Sequence, residues 1–188
     1  MNKGSKRPLV DLLHTNSLEF MHYPELATRH PLYEPGNVLI SIRHQDTVAV
    51  IDWPKKKLIW TWGQGELSGQ HDAQQLENGN FLIFDNGLKN QRSRVIELDP
   101  VNRKIVWQYP EPGRPAFFTV ANGSSQRLSN GNTLIANSDH GEAIEVTPEG
   151  DVVWHFFNPG IDSEGHRATI VRIKRYPTNW IEPLLKSS

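Results

Sequence analysis

LDPVNRKIVW, residues 98–107, is one of three similar phrases in this chain, with IDWPKKKLIW (51–60) before it and VTPEGDVVW (146–154) after it. The tryptophans that close the phrases, Trp60, Trp107 and Trp154, fall 47 residues apart. Each phrase follows a second motif built on Gly-Asn: GNVLISIR from Gly36, GNFLIFDN from Gly79 and GNTLIANS from Gly131. A period in the forties, made of short apolar runs separated by turn residues, is the pattern of a β-propeller blade. The expected fold is therefore all-β: a partial or half β-propeller with about three four-stranded blades. In such a blade the first strand lines the central channel and the fourth lies outermost.

The second repeat reads most cleanly. Residues 72–77 form the inner strand, Asn78-Gly79 a tight turn, 80–85 the second strand and GLKNQR a polar loop. Residues 93–98 then form the third strand, Asp99-Pro100 opens a turn and 104–109 form the fourth. The third repeat follows suit with 124–129, 132–137, 141–147 and 151–157. The first starts at His14 and is interrupted at 21–35 by a Pro-rich insertion that reads as a surface loop. This divides the chain into an N-terminal extension (1–13), blades at about 14–65, 66–113 and 114–160, and a C-terminal segment (161–188). Within that segment HRATIVRIKRYP (166–177) restarts the pattern as a possible strand of a further blade. Three blades do not close a ring, and open sheet faces and edges are avoided in folded proteins. The chain is then one half of a longer protein, or joins a second copy in a ring of about six blades, or is capped by its C-terminal segment. A homodimer or a complementing propeller half is the expected macromolecular partner.

Composition narrows the chemistry. Hydrophobic residues make up 37% of the 188, with 14 Gly and 13 Pro, which suits alternating strands and polar turns. The formal net charge of −1 provides no bulk field for nucleic acid or an anionic membrane, so neither is an expected partner. Lys55, Lys56 and Lys57 fall in a turn between strands and read as a solvated hairpin tip. The absence of cysteine excludes disulfides, a thiolate nucleophile and Cys-ligated metal. The N-terminus has a basic start without an apolar core long enough for a signal peptide, and no stretch approaches a membrane span. As written, the chain reads as soluble, without an export signal, and cytoplasmic.

Superposing the repeats picks out one end of the channel. At the start of the inner strands stand His14, His71 and, in the third blade, the small residues near Gly123-Ser124. At the exit of the second strands stand Arg43-His44, Asp85-Asn86 and Asp139-His140. Four of the eight histidines, His14, His44, His71 and His140, thus fall on one face, within reach of Arg92 or Arg94 from the second blade's loop. Neutral imidazole is a competent nucleophile near pH 7, and a guanidinium fork suits sulfuryl or phosphoryl oxygens. Two plainer roles compete: hydrogen-bonding residues at strand ends, and a metal site of three imidazoles. No H-x-H or HExxH spacing supports the latter, and no metal is expected. His22, His30, His155 and His166 read as non-catalytic, and the three tryptophans as packing between blades.

At LLHTNSLEF (12–20), ISIRHQD (40–46), LSGQHDAQQLENGNFLIFDNG (67–87), SRVIELD (93–99) and NGNTLI…EVTPEGDVVW (130–154) the chain resembles the arylsulfotransferase family of β-propeller proteins. The resemblance runs from about residue 10 to 177. It implies PAPS-independent transfer of a sulfuryl group from a phenolic sulfate donor to a phenol acceptor through a transiently sulfated histidine, with no cofactor. By motif position His14 and His71 match two of the family's active-site histidines. Arg92, which follows the F-D-N-G loop, matches its arginine, with Arg94 in reserve. His140 lies in about the right place for the nucleophile, and His44, Arg43, Arg94 and Asn86 are expected to bind substrate. Members are typically two to three times this length and commonly periplasmic or secreted. The alternative is a non-catalytic or truncated propeller acting as a binding scaffold.

Overall fold

Each of the three repeats folds into one four-stranded antiparallel meander. The computed structural model describes residues 11–113 and 115–186, so residues 1–10 of the expected N-terminal extension lie outside it. Blade 1 comprises β1 (Thr15–Phe20), β2 (Asn37–Ile42), β3 (Thr47–Asp52) and β4 (Lys57–Trp62). Blade 2 comprises β5 (His71–Gln75), β6 (Phe81–Asp85), β7 (Arg94–Asp99) and β8 (Lys104–Tyr109). Blade 3 comprises β9 (Ser124–Arg127), β10 (Thr133–Asn137), β11 (Glu142–Val146) and β12 (Val152–Phe157). A short helix, α1 (Thr178–Leu185), ends the described chain. The repeat extends to irregularities. Trp60, Trp107 and Trp154 lie opposite Val50, Glu97 and Glu145, and each pairing is followed by the same register shift.

Strand periodicity puts the core between blades. β6 is buried along its whole length because it is covered on both faces. Phe81 and Ile83 point towards blade 1, into a cluster with Leu39, Val50, Trp60 and Leu98. Leu82 and Phe84 point the other way, joining Val95, Ile135 and Val146 between blades 2 and 3. Gly123, at φ +108, is pressed against this second cluster: a Cβ there would sit 2.3 Å from the Phe84 ring.

The insertion at 21–35 is not the surface loop its prolines suggest. It forms two 3-10 turns, Pro24–Thr28 and Pro31–Tyr33, and buries Met21, Leu26, Leu32 and Tyr33 in the cluster between blades 1 and 2. The prolines start the turns, and Asn37 Nδ2 donates to the carbonyls of Pro31 and Leu32, anchoring the segment over the blade. Burial first, and then the charge of Asp99, pushes the Tyr33 hydroxyl up to about 12.

Polar hubs lock neighbouring blades together. Glu97 is buried; its Oε1 accepts from Asn78 and Asn80 of its own Asn-Gly turn, and its Oε2 accepts from Arg127 of β9 at 2.7 Å. The Arg127 guanidinium also lies over Trp107, 5.0 Å from the ring centre. Indole N–H groups complete the contacts: Trp60 donates to Pro100 O at 3.0 Å and Trp107 to Pro148 O at 2.8 Å. Inner strands of adjacent blades share no backbone ladder. Side chains tie them instead: Ala73 N–H donates to Ser17 Oγ, and Ser125 N–H to Asp72 Oδ2. Residues 166–177 form no strand ladder of their own. Ala168 and Ile170 bond to the backbone of Gly160 and Ser138 at the end of blade 3, Ile173 and Arg175 bond to side chains of β9, and Arg172 reaches Asp72 at 3.1 Å.

Candidate functional site

The start of each inner strand and the exit of its second strand meet at one end of the channel, as the pairing of His71 with Phe84 requires. In blade 2 this brings His71 Nδ1 to 2.7 Å from Asn86 Oδ1. The buried Asn86 is itself fixed, since its Nδ2 donates to the carbonyls of Thr119 and Asn122. Its Oδ1 is therefore the acceptor, which places the His71 proton on Nδ1 and leaves the Nε2 lone pair free. Burial lowers the basicity of His71. Arg43 and His14 push in the same direction, against the hydrogen bonds to Asn86 and the Gly69 backbone. The charged form of the ring is thus disfavoured and one tautomer is fixed, with the Arg43 guanidinium acting on it.

In blade 1 the same junction is organised by Asp11. Its carboxylate accepts from the His14 backbone N–H at 2.7 Å and lies 2.6 Å from His14 Nδ1. The Asp11 carbonyl lies 2.7 Å from His44 Nδ1, so it accepts that N–H. The His14 and His44 rings stack, with centroids 4.7 Å apart. His14 takes a left-handed backbone, φ +47, which the Asp11 turn and the Arg43 N–H bonded to His14 O stabilise. Arg43 leads away from the same turn towards blade 3, and its Nη2 lies 3.4 Å from Val120 O. Donor atoms of Asp11, His14 and His44 all lie within 4.8 Å of one another, so these three exposed residues are the group that could hold a metal ion among the described residues.

The other expected residues sit elsewhere on this end. His140 ends a 3-10 turn, Ser138–His140, and its Nδ1 lies 3.2 Å from Asn137 Oδ1. Asn137 donates in turn to Glu142, which pairs with His155 on β12, so this network runs outward through blade 3. Arg94 is bound to Asp85 at 3.0 Å, to the Glu66 carbonyl at 2.8 Å and to Gln108 at 3.4 Å. Arg92 and Arg94 line a cleft of about 600 Å³ with Asp85, Lys89 and Gln108. The structure thus groups His14, His44, His71, Arg43 and Asn86, while Arg92 and Arg94 belong to that cleft and His140 to the blade 3 network.

Sequence reasoning missed Asp11, the residue that organises both histidines of blade 1, because it was set apart in the extension. It also missed the ionic channel wall formed by Asp72 and Arg172, with Lys174 beside Gln74. The signal for the wall was present: VRIKRY alternates basic residues at strand period, so Arg172 and Lys174 share a face.

Three propeller blades carrying a cluster of pinned imidazoles at one channel end define the class. The chain belongs to the arylsulfotransferase (ASST) family, whose model matches residues 2–159. No curated protein matches the chain. Among solved structures, a Bacteroides caccae protein of unknown function is similar at 17% identity and TM-score 0.52, over 85% of this chain and 53% of its own. A catalytically inactive virginiamycin B lyase from Staphylococcus aureus, solved with quinupristin, is similar at 13% identity and TM-score 0.51, over 80% of this chain and 43% of its own. Both are likenesses of fold. The chain spans about half the length of these solved chains.

Proposed function

We propose that this chain carries the histidine half of an aryl-sulfate sulfotransferase site, with His71 as the nucleophile. The observation that carries the reading is the Nδ1–H tautomer of His71, fixed by Asn86, with a lone pair on Nε2 and basicity depressed by burial and by Arg43. In the first step Nε2 attacks the sulfur of a phenolic sulfate, forming an N–S bond as the S–O bond to the aryl group breaks. The phenolate leaves and takes a proton from solvent or a protonated neighbouring imidazole. In the second step an acceptor phenol attacks the sulfur, the N–S bond breaks and the lone pair returns to Nε2. The acceptor's proton passes to a neutral imidazole, His14 or His44, acting as general base. Arg43 offsets charge on the sulfuryl oxygens. Nucleophile, cation and proton acceptor are all side chains.

We assign the nucleophile to His71 rather than His140 because His71 is the half-buried ring with a guanidinium and a second imidazole acting on it. The test is release of 4-nitrophenol from 4-nitrophenyl sulfate with phenol as acceptor. His71→Ala is expected to abolish it and His140→Ala to leave most of it. No acceptor-dependent release by the purified chain, or undiminished release by His71→Ala, would overturn the reading.

A further inference from the structure

The contacts of residues 171–176 repeat, one by one, those that an inner strand makes with the blade before it. Arg175 pairs with the buried Glu145, whose Oε1 accepts from Asn130 and Asn132, just as Arg127 pairs with Glu97 beside Asn78 and Asn80. The Arg175 guanidinium lies 5.4 Å from the Trp154 ring centre, as that of Arg127 lies over Trp107. Ile173 N–H donates to Ser124 Oγ, repeating Ser125 to Asp72 and Ala73 to Ser17. Arg175 N–H donates to Gln126 Oε1, repeating Gln75 to Glu19.

The match stops at the outer strands. Trp107 and Tyr109 pack into the cluster shared by blades 2 and 3. Their counterparts Trp154 and Phe156 stack on one another and are 38% and 40% exposed, against 8% for Trp60. Trp60 and Trp107 each donate to a turn carbonyl of the next blade, and the Trp154 indole has no such acceptor among the described residues.

We infer that residues 171–176 are the innermost strand of a fourth blade, and that the face carrying Trp154 and Phe156 seats its three outer strands. The occupant is a three-stranded meander of this same repeat, without an inner strand of its own and with a turn carbonyl for Trp154. The interface is continuous with the two already built, between blades 1 and 2 and between blades 2 and 3. A second copy does not fit, because its blade 1 brings β1 to a seat that residues 171–176 fill. The inference is independent of the chemistry at His71.

The probe is the chain's own repeat. Residues 77–113, appended after Tyr176 in place of 177–188, continue from Arg175 as they continue from Gln75 in blade 2. This chimera is expected to melt several degrees higher than the unaltered chain. Exchange of the Trp154 indole N–H, assigned with Trp154→Phe, is expected to slow roughly tenfold, as for one net hydrogen bond. A control chimera lacking residue 77 turns every added side chain to the wrong face and should gain neither. Equal behaviour of the two chimeras overturns the proposal. In the unaltered chain, trypsin should cut at the exposed Lys56 hairpin before it cuts at Arg172, Lys174 or Arg175; first cleavage at those three overturns the seating. So does a sedimenting dimer in which the three sites become labile, the outcome expected if a second copy displaces the strand.

Discussion

Glu97→Ala tests the polar hub between blades most sharply. The change removes one carboxylate that accepts three hydrogen bonds, from Asn78, Asn80 and Arg127, in a site where Glu97 is 7% exposed. Removing one partner of a buried pair costs about 3–5 kcal/mol, because the other charge is left uncompensated. The Arg127 side chain is 23% exposed and can recover some hydration, which favours the lower end, about 3 kcal/mol. Glu145→Ala deletes the same hub one blade on, but Arg175 is 43% exposed, so its part is discounted for screening to a total of about 1–2 kcal/mol. For a chain of this size these become losses of about 6–12 °C and about 2–8 °C in Tm. Urea unfolding followed by tryptophan fluorescence gives both values, and Arg127→Ala with the double variant completes a cycle. The double variant should cost clearly less than the two single losses together. A Glu145→Ala loss equal to or larger than that of Glu97→Ala, or strict additivity in the cycle, refutes the reasoning.

Gly123→Ala should destabilise by about 2–4 kcal/mol, since φ +108 strains any side chain and the new Cβ would sit 2.3 Å from the buried Phe84 ring; thermal melting checks it. Asn86→Ala should release the His71 tautomer, lowering turnover of 4-nitrophenyl sulfate more than it raises KM, and ¹⁵N NMR of His71 should show both nitrogens sharing the proton. Burial depresses the His71 pKa, so its contribution to stability is complete above the unfolded value of about 6.5 and is lost as pH falls towards the folded value. Unfolding free energies measured across that window should therefore decline with acid, and His71→Gln should flatten the decline.

The 47-residue spacing of the tryptophans was enough to read three meanders, their turns and the end of the channel where chemistry gathers. It worked because strand period and Asn-Gly turns are local features that tertiary context rarely overrides. The insertion misled because its prolines and charges signal a loop, whereas its four large apolar residues, Met21, Leu26, Leu32 and Tyr33, answer to a cavity formed by two blades. The candidate site was legible by position and not by contact. His14, His44 and His71 could be placed on one face by counting, but which imidazoles are pinned, and by what, depends on side-chain reach. Asp11 and Asn86 do the pinning: no spacing announces Asp11, and Asn86, which counting places on the same face as an expected substrate-binding residue, holds His71 instead. Arg94 looked like a ligand group because an arginine follows the F-D-N-G loop; its binding to Asp85 follows from pairing across β6 and β7, where residues 85 and 94 are opposite one another.

The most direct test of the account is to incubate the purified chain with 4-nitrophenyl sulfate in the absence of acceptor, quench at alkaline pH, where a sulfated imidazole survives, and map the label by mass spectrometry. One sulfuryl group on the peptide containing His71, lost on adding phenol and missing in His71→Ala, is the predicted result. A label on His140 with His71 unmodified, or no covalent label under conditions where 4-nitrophenol is released, would contradict it.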